Sequence, residues 1–157
     1  MASFFDLTKP HLAYYSPSKV PAAFVLAVVP HTYSLIAAGK NFDIANPRNT
    51  VENCEKDTTL QKKTAQRIRR AEAATANAFE TVGLYAGGIA AATAAGVPVE
   101  TLNYLSVMYL ASRAGYSAVY VWLQDNRKLA PLRSVCWNTS IGIIFALWIK
   151  AGNKASA

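Results

Sequence analysis

The sequence predicts an all-α integral membrane protein built as a bundle of four helices. Three observations carry that prediction. Apolar residues make up 52% of the 157, and charged ones only 16%. The charges are gathered into two stretches, leaving long intervals with almost none. Four of those intervals approach the roughly 20 residues needed to cross a hydrocarbon core about 30 Å thick.

The first span is expected over about 20–39, without a charge up to Ala38 and with Pro30 as an internal kink that neighbouring helices would have to satisfy. Leu35 to Gly39 could pass for a leader-cleavage site, but the leader would be unusually long, so the span is expected to stay. The second runs over about 71–95 and is rich in Ala and Gly; Gly83, Gly87 and Ala91 form a small-residue face suited to close helix approach. Gly96-Val97-Pro98 then marks a tight turn, and Pro98 suits the start of a third span over about 99–123. Gln124 to Lys128 reads as a loop. Pro131 opens a fourth span over about 131–150, closed by Lys150 and Gly152. Neither a repeat nor a low-complexity linker interrupts the chain, so residues 1–157 are expected to form one domain.

Sixteen Lys and Arg against nine Asp and Glu give a formal charge of +7. On a soluble protein this would suggest nucleic acid, but the basic residues flank apolar segments and make no single basic face, so no nucleic-acid partner is expected. Most of them crowd the first and third connections. By the positive-inside rule those loops face the cytosol, with both termini and the Gly96 turn on the opposite side. Cys54 and Cys136 are too few for a disulfide framework or a zinc site, and no metal is expected. Asn138-Thr139-Ser140 has the glycosylation pattern, but inside a span it would go unused. The competing architecture is a soluble four-helix bundle. Segments apolar on every face count against it, because a soluble bundle helix keeps a polar side.

Ionisable groups at membrane depth are costly and usually face the bundle interior with a partner. Glu80 and Arg113, on consecutive antiparallel spans, are expected to pair. Arg70, Asn77 and Glu80 share one helical face, as do Tyr109, Arg113, Tyr116 and Tyr120. Such faces can bind a polar ligand, or can simply fix helix register. Arg133 and Ser134, with Trp137 one turn on, stand at the mouth of the fourth span. They could stabilise an anion such as a thiolate, or anchor the helix among headgroups.

Taken together, these motifs resemble the membrane-associated proteins in eicosanoid and glutathione metabolism, the MAPEG family. Ala45-Asn46-Pro47-Arg48 resembles its first cytosolic loop, and Arg70, Asn77 and Glu80 match its second-helix signature. Arg113, Tyr116 and Tyr120 match the third helix, and Pro131-Leu132-Arg133-Ser134 the fourth. The resemblance implies a glutathione transferase or related enzyme of the endoplasmic reticulum, acting on a hydrophobic electrophile that arrives through the lipid bilayer. It implies glutathione as cofactor, bound by Arg70, Asn77, Glu80, Arg113, Tyr116 and Tyr120, with Arg133 catalytic and Ser134 assisting. A homotrimer with sites between subunits is likewise implied. The family also admits a non-catalytic lipid-binding scaffold, and an isomerase or cyclase of specialised metabolism could use the same pocket. Thr75 and Tyr116, where other members carry His, and a longer loop at 121–130 are departures that bear on which of these applies.

Overall fold

The computed structural model describes residues 15–157. Four long helices, α1 (Tyr15–Ala38), α3 (Lys62–Ala94), α4 (Val99–Val121) and α5 (Ala130–Ala155), pack on one another, with a short helix α2 (Thr50–Lys56) between the first two. The described residues contain no strand. α1 packs mainly on α3, and α5 lies against both α3 and α4. Residues 39–61 and 122–129 gather at one end, here the loop end; at the other, the turn end, residues 95–98 join α3 to α4.

The helices outrun the apolar segments that predict them. α3 begins at Lys62, well before the expected start at Ala71, and its 33 residues span about 50 Å. That exceeds a hydrocarbon core of about 30 Å, so its basic first turns extend beyond the apolar segment. There α2 packs on them, burying Cys54 with Ala38, Ala65 and Ile68. α5 does not stop at Lys150 and Gly152 but continues to Ala155. Gly152 keeps a helical backbone, since positive φ occurs only at Gly39 and Gly96 among the described glycines.

Large apolar side chains cover the outside of the helices as well as their core, and several polar groups lie within. The stretches Lys19–Asn41 and Arg127–Ala155 are long and apolar enough to cross a membrane, yet only 22% of each apolar window is buried. Phe24, Val25, Ile36, Phe145 and Ile149 all point outward. Inside lie Ser34, Thr81, Asn103, Ser106, Arg113, Ser117 and Ser140. Ser106 and Ser140 donate to carbonyls of their own helices at 2.7 and 2.8 Å, which satisfies them without a partner helix. A water-soluble bundle would sort these residues the opposite way. α3 and α4 do not reach the same apolar measure. α3 is diluted by charged first turns and alanine, and α4 carries Glu100 and Arg113.

Glycines set one helix contact. Gly87 and Gly88 leave a notch in α3 for the Trp148 indole of α5, and a Cβ at either would lie 3.1 Å from that ring. Trp148 Nε1 donates to the Leu84 carbonyl at 3.1 Å. Gly87 thus serves a contact within the chain, while Gly83 faces open space. Nor is Lys19 a free tail charge: it lies in α1 and donates to Asn103 Oδ1 of α4 at 3.1 Å. The tail preceding Tyr15, with Lys9, lies outside the described residues.

Candidate active site

α3, α4 and α5 converge on a cavity of about 390 Å³ lined by Asn77, Tyr116, Arg133, Ser134, Trp137 and Asn138. Helical periodicity explains the convergence: Arg133, Trp137 and, a little round, Ser134 and Asn138 lie along one side of α5. Asn138 donates its amide to the Ser134 carbonyl at 2.8 Å.

Behind the cavity Arg113 is 4% exposed. Its Nη2 donates to Asn77 Oδ1 at 3.0 Å, and its guanidinium carbon lies 4.5 Å from the Tyr116 ring centroid. Arg113 Nη1 is buried and has no hydrogen-bond acceptor among the described residues. The expected Glu80–Arg113 ion pair is not formed. Asn77 stands between them, accepting from Arg113 and donating to Glu80 Oε2 at 3.4 Å, and Glu80 itself is exposed. A neutral amide bridges two charges that the helix spacing keeps apart.

Tyr120 is held by cation–π and edge contacts. The Arg133 guanidinium carbon lies 4.8 Å from its ring centroid, and the Tyr116 ring meets it edge-on at 5.7 Å. Tyr109, on the same stripe in the sequence, instead enters the core, stacked on Tyr85 at 4.0 Å with its hydroxyl 3.4 Å from Thr81 Oγ1.

Arg70 lies on the Asn77 face but two turns nearer the loop end, where it binds Asp125 together with Arg67 and Lys63. Asp125 follows α4 in the Leu123–Asp125 turn. The Arg70 hydrogen bond, then those from Arg67 and Lys63, hold its carboxyl well below the usual carboxylate range, against the opposing effect of partial burial. Of the sequence-predicted residues, Asn77, Tyr116, Arg133 and Ser134 thus line one cavity; Arg113, Tyr120 and Glu80 contact that set; Arg70 stands apart.

Asp125 and Asn138 have no place in the sequence-predicted site. Asp125 carried a signal, being the last acidic residue of the chain and set among basic ones. Asn138 was obscured by its glycosylation pattern. A larger cavity, about 610 Å³, lies beside Cys54, Lys62 and Arg69 in the α2–α3 cap and shares no lining residue with the first.

No curated protein and no solved structure gives a significant match to this chain. The family model described as the MAPEG family matches residues 20–153. MAPEG is a membrane family that includes glutathione transferases and also non-catalytic members. With nearly the whole sequence matched, and with the outward-facing apolar helices described above, this chain belongs to the MAPEG family.

Proposed function

We propose that this protein is a membrane glutathione transferase, or a closely related glutathione-dependent enzyme, acting on a hydrophobic electrophile. The observation that carries the reading is the cavity in which Arg133 and Ser134 of α5 meet Asn77 of α3 and Tyr116 of α4. Its volume falls in the range of about 300–1,000 Å³ usual for small-ligand sites.

The residues fit the tripeptide chemically. Glutathione supplies a thiol, two carboxylates and an amino group. A thiol with a pKa of about 8.5 is mostly protonated at neutral pH. A guanidinium beside it favours the thiolate, and a lowering of about one to two units makes it substantially ionised. Arg133 is the group assigned to that task, with the Ser134 hydroxyl as a second donor. Its stacking on Tyr120 fixes where the charge sits. Arg113, with Nη1 unused, and Arg70, with Nε unused among the described residues, remain for carboxylates. Glu80, exposed beside Asn77, suits the amino group. Arg70 and Asn77 are two helical turns apart, about 10 Å along α3. An extended tripeptide covers about the same distance.

The site opens on the flank of the bundle: Ser134, Trp137 and Glu80 are exposed. This supports a homotrimer in which a neighbouring copy completes each site, with the lipid bilayer delivering the substrate and the loop end facing the cytosol from the endoplasmic reticulum. Asn138, a polar group in the cavity beyond the anion-binding set, favours as a second reading an isomerisation or cyclisation of a substrate bearing its own polar group.

The test is detergent-purified protein titrated with glutathione while thiolate absorbance is followed in the ultraviolet, on the short-wavelength side of the aromatic band. Wild type should show a thiolate signal at neutral pH, and Arg133→Ala should lose it while still binding the peptide. Absence of any glutathione binding to the wild type would refute the proposal. A thiolate signal without turnover of a chlorodinitrobenzene would transfer support to the second reading.

A further inference from the structure

One carboxylate, that of Asp125, is shared by three cations of α3, Lys63, Arg67 and Arg70. Arg67 binds it through both Nε, at 3.1 Å, and Nη2; Lys63 Nζ lies at 3.3 Å. Arg70, with its side chain 15% exposed, gives its Nη2 to Asp125 and has Nε buried without a hydrogen-bond partner among the described residues. The cluster therefore carries excess positive charge even with Asp125 in place. Arg70, its member nearest the site, lies two turns along α3 from Asn77, at about the reach of an extended tripeptide.

The segment bearing Asp125 is closed on itself. Gln124 Nε2 donates to the Leu129 carbonyl at 3.3 Å, and Asn126 Oδ1 accepts from the Lys128 amide at 3.1 Å. Its anchor to α1 is the Trp122 ring, edge-on to Tyr33 at 5.3 Å.

Resting on the glutathione reading above, we propose that Asp125 occupies the place of a ligand carboxylate, so that the incoming thiol peptide must displace it from Arg70 and thereby releases segment 122–129. Asp125 is a positioning residue in this scheme. It gives the half-buried Arg70 guanidinium a counter-charge at the mouth of the site, and it sets the affinity for the peptide through competition. A group that already presents a carboxylate to Arg70 selects for ligands bearing one and against neutral thiols. It also couples ligand arrival to motion beside the first turns of α5, where Arg133 and Ser134 stand.

The experiment compares wild type with Asp125→Asn and Asp125→Glu in detergent, using calorimetry with glutathione and with its diethyl ester. Fluorine NMR of fluorotryptophan-labelled protein, assigned by single Trp→Phe variants, follows Trp122. If Arg70 is engaged by Asp125 most of the time, removing the charge should tighten glutathione binding about three- to tenfold. The diethyl ester should show no gain, and Asp125→Glu should stay within about twofold of wild type. Glutathione should move the wild-type Trp122 resonance toward its position in ligand-free Asp125→Asn; inorganic phosphate at the same ionic strength should not. Equal or weaker glutathione binding by an Asp125→Asn protein whose Tm matches wild type overturns the proposal, as does a Trp122 resonance that phosphate moves equally well. If that variant melts early, the wild-type Trp122 response decides alone. Wild type that binds no glutathione overturns the functional reading itself, whereas wild-type binding without the Asp125 effects overturns only this step.

Discussion

Arg113 shows how a single side chain can be both an internal strut and a ligand group. Its Nη2 is committed to Asn77 and its face to Tyr116, while Nη1 has no acceptor among the described residues. Replacing Asn77 with Ala leaves a buried guanidinium short of an acceptor, a loss of about 1–3 kcal/mol in stability. A lower Tm together with weaker glutathione binding is expected for Asn77→Ala. Glu80→Gln should weaken binding with little change in Tm, because Glu80 is exposed and makes no ion pair with Arg113. Titration of Asp125 has a definite sign. Its carboxyl is depressed in the folded protein, chiefly by Arg70, so its contribution to stability is complete well above the unfolded value of about 3.9 and is lost progressively as pH falls from there through the lower folded value, where the carboxylate itself protonates. The Trp122 resonance should therefore hold steady from pH 7 to about 4.5, where a carboxylate of ordinary pKa has already begun to titrate. Movement within that window in a His31→Gln background, which removes the imidazole near Tyr33, would show that the cation cluster does not hold Asp125 as described.

At the scale of helices, the Trp148 notch gives a sharp contrast between glycines. A Cβ on Gly88 would approach Trp148 Nε1 at 3.1 Å and Leu147 Cβ at 3.3 Å, so larger side chains must spread α3 from α5. Gly88→Val should cost about 1–3 kcal/mol as overpacking. Gly83→Ala, with nothing within 4 Å, should be neutral or slightly stabilising through helix propensity. Melting of the two variants in one detergent checks both. The α2–α3 cap makes a separate prediction: burial, and secondarily Asp57, push the Cys54 thiol up from its usual value. Alkylation of Cys54 by a water-soluble maleimide at pH 7.5 should be slow until the cap is unfolded. Much of this scale was legible in the sequence. The apolar intervals locate all four long helices, and Pro98 and Pro131 mark two of their starts, because those features depend on local geometry. The extension of α3 back to Lys62 was not legible, since lysines and arginines are good helix formers yet add nothing to an apolar pattern. For the same reason α5 runs past Lys150. The identity of Arg70's partner was hidden too: Asp125 is distant in sequence, and only the packing of α4 against α3 brings it close. Site residues on shared helical faces could be grouped from spacing, whereas the replacement of a Glu80–Arg113 pair by an Asn77 bridge depends on side-chain reach.

For the whole molecule, the apolar side chains left facing outward make the bilayer part of the folding problem. With large apolar side chains such as Val25, Ile36, Phe145 and Ile149 left outside the packed helices, and polar groups such as Asn103 and Arg113 enclosed, water would leave much of the apolar surface uncovered. The protein should remain monodisperse only in detergent or lipid, and native mass spectrometry from detergent should find the proposed trimer. A single cysteine introduced at Lys56→Cys, in a background lacking Cys54 and Cys136, should react with an impermeant maleimide outside sealed microsomes. One introduced at Ser156→Cys should react only after they are opened; the reverse pattern would invert the topology.

Residues 95–98 bind α3 and α4 tightly at the end remote from the cluster around Asp125. Gly96 there adopts φ +75°, a conformation that side chains resist, so the bend is fixed in shape. Two stiff rods joined this way behave like tongs. With α4 about 34 Å long, a tilt of about 5° at the joint would part the far tips by about 3 Å. An Ala at Gly96 would have to strain that bend, and α4 would carry any resulting change of angle, enlarged, to the segment bearing Asp125.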